Sequence, residues 1–96
     1  MNGIHYTQLG YRQLTTTLSS AVSLPSIPPA ADAVLLQAET QNVRFRDDGT
    51  APTTSVGMLL VAGAEAFMYT GALMNLQFIA ATSGAILNIT YYKIAG

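Results

Sequence analysis

His5 is the only histidine in this chain, and there is no cysteine. Thiolate catalysis is therefore absent. A tetrahedral zinc centre, which draws on Cys and His, lacks its ligands. A Ser-His-acid arrangement would have to recruit His5 from a terminus of the kind that frays. The only adjacent acids are Asp47 and Asp48. Paired carboxylates can do acid–base work or hold a calcium ion. Here they open Asp47-Asp48-Gly49-Thr50, which is first of all a turn in which Asp side chains accept from nearby backbone amides. Gly57, Gly63, Gly71 and Gly84 are dispersed, so no phosphate-cradling loop is written in the chain. The sequence predicts no catalytic residue, no cofactor and no metal site, and the chain reads as a non-enzyme.

Polar chemistry concentrates in residues 39–48, which hold two of the four basic residues and three of the five acidic ones. Arg44 and Arg46, two apart on a strand, share one face. Planar guanidinium groups suit bidentate pairing with carboxylates. The expectation is that they bridge to Glu39, Asp47 or Asp48, or to acids of a neighbouring chain, and so fix register or an interface. The plainer alternative is two solvated arginines.

These residues must be positioned by strands. Residues 33–38, 42–47, 56–61, 65–70, 75–80 and 86–93 read as six short strands with turn signals between them. The run 56–61 is nearly continuous in apolar residues, which predicts burial on both faces. A helix over 56–68 competes, since Ala, Met, Leu and Glu favour it, but Gly57 and Gly63 count against it. The expected fold is all-β, a small antiparallel β-sandwich or barrel, jelly-roll-like. Its core would hold Val34, Leu36, Val43, Phe45, Met58, Leu60, Leu76, Phe78, Leu87 and Ile89. Tyr91 and Tyr92 would face opposite ways, one into the core and one outward to an interface or a sugar.

Residues 1–31 read as an extended N-terminal arm ahead of a domain at 32–96. Pro25, Pro28 and Pro29 lie within five positions, removing backbone donors and fixing φ. Leu18, Val22, Leu24 and Ile27 give the arm apolar groups to dock. They suit strand addition to a neighbour's sheet or a connector lying over its own domain.

Composition bears on how the module works. Charged residues make up 9% of the 96 positions, against about 25% in an average soluble domain. A domain this small is marginal alone, and with staples and zinc excluded, oligomerisation is the remaining way to add buried area. Interface cores are likewise poor in charge. A monomer with a neutral Ser/Thr surface is the alternative. The net charge of −1 gives no basic footprint for nucleic acid and no polybasic membrane patch. Residues 1–6 lack the basic start and apolar run of a signal peptide, so the expectation is synthesis in a cytoplasm.

Two blocks carry a resemblance. Leu36-Gln37-Ala38-Glu39, Gln41 to Thr53 and Val56-Gly57-Met58, with Leu76 to Thr82 and Leu87 to Tyr92, resemble small virion proteins of tailed bacteriophages. The resemblance spans about residues 33 to 92 and leaves the arm uncovered. It implies a capsid cement or decoration protein that bridges neighbouring subunits, located in the virion. Implied partners are the major capsid protein or other virion proteins and further copies of this chain, with a trimer favoured. A connector or tail component, or a particle-displayed glycan-binding module, are the alternatives.

Overall fold

The computed structural model describes residues 5–95. The protein is all-β, with eight strands among the described residues: β1 (His5–Leu14), β2 (Val22–Ser23), β3 (Ala33–Glu39), β4 (Val43–Arg46), β5 (Met58–Leu60), β6 (Phe67–Tyr69), β7 (Gln77–Ala80) and β8 (Ile86–Ala95). The helical pieces among the described residues are two 3-10 turns, Thr17–Ser19 and Leu73–Asn75. The strands form two four-stranded antiparallel sheets, ordered β1-β8-β3-β6 and β2-β7-β4-β5. Only the β4–β5 connection stays within a sheet. This double order is that of an eight-stranded jelly roll.

Alternation explains the core. Val34, Leu36 and Ala38 of β3 lie opposite Tyr91, Ile89 and Leu87 of β8, and all six point into the sandwich. Val43 and Phe45 of β4 face them with Phe78 and Ala80 of β7 from the second sheet. Each large aliphatic side chain buried this way contributes about 1.5–3 kcal/mol. The chain passes from β3 to β4 through a tight turn, where Gln41 N donates to the Glu39 carbonyl at 2.7 Å and Thr40 has φ +71°. Asn42 then ties two loops to this crossing. Its Oδ1 accepts from Ala62 N at 2.8 Å and its carbonyl from Ala81 N at 2.9 Å.

The structure corrects the expected arm. Residues 1–4 lie outside the described residues, but His5–Leu14 pairs along β8, and Val22–Ser23 pairs with β7. Leu18 and Leu24 are buried in the chain's own core, with Val22 and Ile27 packed against it. There is no boundary at residue 31 or 32, and the strands number eight where the sequence predicts six. The proline stretch does lie over its own domain: the buried Tyr91 hydroxyl donates to the Pro25 carbonyl. β1 escapes detection because it is an edge strand whose side chains stay outside the core. A bulge at Leu9, between Gln8 and Gly10, also interrupts its alternation.

Residues 56–68 form no helix, and the expectation of burial on both faces for 56–61 is also corrected. Only Met58–Leu60 is strand, and Met58, expected in the core, is 65% exposed. The other nine expected core residues are buried. β5 lies at the outer edge of its sheet, so only Leu60 reaches the core while Met58 and Leu59 stay exposed.

Candidate interaction surface

β4 carries the polar cluster on the outer face of its sheet. Arg44 donates from Nε to the Thr54 carbonyl at 3.1 Å and from a terminal nitrogen to the Gly57 carbonyl at 2.8 Å. It thereby clamps the long β4–β5 loop against the sheet. The clamp needs Gly57: its φ is +142°, and an added Cβ would meet Arg44 Cβ, the Phe45 carbonyl and Pro52 Cβ, each at 3.2 Å. Arg46 makes a two-pronged pair with Asp48, at 3.0 and 2.5 Å. That pairing holds the Asp48 carboxyl below its ordinary range and Arg46 above its own. Thr50 N also donates to Asp48, at 3.3 Å, as expected of an Asp-led turn.

The structure therefore brings Arg44, Arg46, Asp47 and Asp48 together around one loop. Glu39 stands apart, on the outer face of the other sheet. Among the described residues, the only ion pair is Arg46–Asp48. Asp47 instead accepts from the Tyr69 hydroxyl, and Glu39 from Asn88 Nδ2 at 2.6 Å. Sequence reasoning missed the rest of the Glu39 ladder. Tyr11 and Gln13 of β1 both donate to Asn88 Oδ1, at 2.5 and 2.9 Å, so one asparagine joins three strands. Only the register of β1 on β8 makes that visible. Of the paired tyrosines, Tyr91 is buried, and Tyr92 faces out against Tyr6 in an edge-on contact of 6.1 Å.

The sandwich closes unequally along its two sides. On one side β5 and β6, the short outer edges of the two sheets, leave a cleft of about 250 Å³. Leu36, Phe45 and Leu60 line it, with Met58, Val61 and Phe67 exposed beside them. Phe67 stacks on Phe45 at 5.9 Å and partly covers it. Leu59 extends the apolar rim, with nearly half of its surface exposed, and Glu65 lines the cleft beside it. Glu65 is the only charged residue between Asp48 and Lys93.

No known protein family, curated protein or solved structure matches this chain. The surface must therefore be read from its own chemistry. Among the described residues no three His, Asp or Glu side chains gather to hold a metal ion. What the β5–β6 seam offers is apolar area, two short strand edges with unpaired backbone groups, and almost no charge to desolvate. Contiguous apolar patches of this kind mark interaction sites.

Proposed function

We propose that this chain is a structural subunit of a bacteriophage virion. In this reading it is a capsid cement or decoration protein that works as an oligomer, bridging neighbouring capsid subunits. The observation that carries the assembly part is the exposed apolar seam along β5 and β6, in a chain with little charge anywhere. Such a seam gains by being covered, and Glu65 is the one charged group lining the cleft that covering it would desolvate. The jelly-roll order supports the same reading by analogy, since viral capsid domains use it, although lectins and cupins do too. The phage assignment rests on the resemblance of residues 33 to 92.

The assembly reading is tested by light scattering on the purified chain and on Met58→Asp and Val61→Asp. Both positions are already exposed, so the fold should survive, and the oligomer mass should fall towards that of a monomer. A wild-type chain that stays monomeric at high concentration would overturn self-assembly. Microscopy of purified particles tests the virion role, with density for the jelly roll expected between capsid subunits. Density confined to the tail would favour the connector or tail alternative.

A further inference from the structure

We propose that β1 is exchanged between copies, so that His5–Leu14 of one chain completes the β8 edge of the next. This rests on the assembly reading above and supplies a mode of joining that the seam does not. β1 is ten residues long, yet none of its residues is buried. Only Leu9 and Leu14 reach the core, and both do so from its margin. Among the described residues its only strand partner is β8, and no strand pairs with its far edge. The strand is thus held by ladder hydrogen bonds and by Tyr11 and Gln13 on Asn88, with Leu9 and Leu14 adding packing at the margin of the core. A second copy offers the identical set, so exchange loses no interaction, which is why strand swapping is a low-cost route to oligomers.

Three details make β1 the mobile piece. Its tether is short: Thr15 and Thr16, both exposed, separate Leu14 from the 3-10 turn. Leu18 in that turn is buried and holds the rest of the chain in place. Next, β3 pairs with β8 only as far as Ala33 opposite Tyr92, so β1 is the sole strand beside Lys93, Ile94 and Ala95. A bare two-stranded ribbon is marginal. Finally, the bulge at Leu9 pins the register, so an incoming strand finds the same alignment as the resident one.

Paired cysteines test this directly, because the chain has none of its own. Gln13 and Asn88 are register partners, as are Thr7 and Lys93 at the other end of β1. Gln13→Cys with Asn88→Cys, and separately Thr7→Cys with Lys93→Cys, are oxidised in the full chain and run on non-reducing gels. Light scattering and circular dichroism on the same samples report mass and fold. Exchange predicts covalent multimers from whichever pair retains the wild-type circular dichroism. A disulfide closed within single chains, in a sample of oligomer mass, overturns exchange and leaves self-assembly standing. A monomeric mass with the disulfide inside the chain overturns both.

Discussion

The Tyr69 hydroxyl donates to an Asp47 carboxylate oxygen at 2.5 Å, joining the outer strand of one sheet to the loop that leaves β4 in the other. The bond spans the β5–β6 side of the sandwich, where the Phe45–Phe67 stack also joins the two layers. Tyr69→Phe keeps the ring and removes the bond. The expected loss is about 1 kcal/mol, the usual net value of such a bond. Thermal unfolding should show it as a fall of roughly 4–8 °C in a domain of this size. An unchanged Tm would mean that the bond adds nothing net across the seam.

Alkaline pH should weaken the fold through two hydroxyls. Burial pushes Tyr69 and Tyr91 up to about 12, and the Asp47 carboxylate adds to the effect at Tyr69. Unfolding returns both towards 10. Between these values the unfolded chain has released protons that the folded chain keeps. Stability is then full below about pH 10 and falls as pH rises towards 12. Denaturant titrations at pH 9, 10.5 and 11.5 should give a declining midpoint, with a shallower decline in Tyr69→Phe.

The two arginines of β4 should behave differently. Arg44→Ala frees two loop carbonyls from their clamp, at an expected cost of about 1–2 kcal/mol. Arg44→Lys should not restore it, because an ammonium group cannot reproduce the fork. Arg46→Ala removes only an exposed local pair with Asp48 and should leave the midpoint of denaturant unfolding nearly where it was. Equal losses at the two positions would contradict the clamp.

Gly57→Ala should be the most damaging single-methyl change in the β4–β5 loop. The residue sits in a backbone region that side chains rarely adopt, with three neighbours already in the way. The expected cost is about 1–3 kcal/mol. Proteolysis should then cut within residues 49–57 sooner than in the wild-type chain. Gly49→Ala, where an added Cβ meets nothing, isolates the effect of positive φ from that of crowding.

Much of the sandwich was legible because strands with one buried face alternate. Val34 and Leu36, Val43 and Phe45, and Leu87 and Ile89 announce their strands by spacing alone. β1 was not legible, since a strand that buries none of its residues and carries a bulge has no period to read. The seam misled for a related reason. Hydrophobicity marks what gains by being covered, and residues 56–61 look the same whether a second sheet or another chain would cover them. In the polar cluster the Arg46–Asp48 pair could be inferred because its members are two apart. The partners of Arg44 lie ten and thirteen residues away and are carbonyls, which every residue has.

His5 and Ala95 face each other as the outermost register pair of β1 and β8. The path from residue 5 to residue 95 is therefore almost a closed loop. A few glycines could join residue 95 to residue 5, and new ends could be opened in the exposed turn at residues 48–51, giving a permuted polypeptide with the same sheets. In an exchanged ring the same geometry sets Ala95 of each copy beside His5 of the copy before it, so one long gene encoding tandem repeats could build the whole ring as a single molecule.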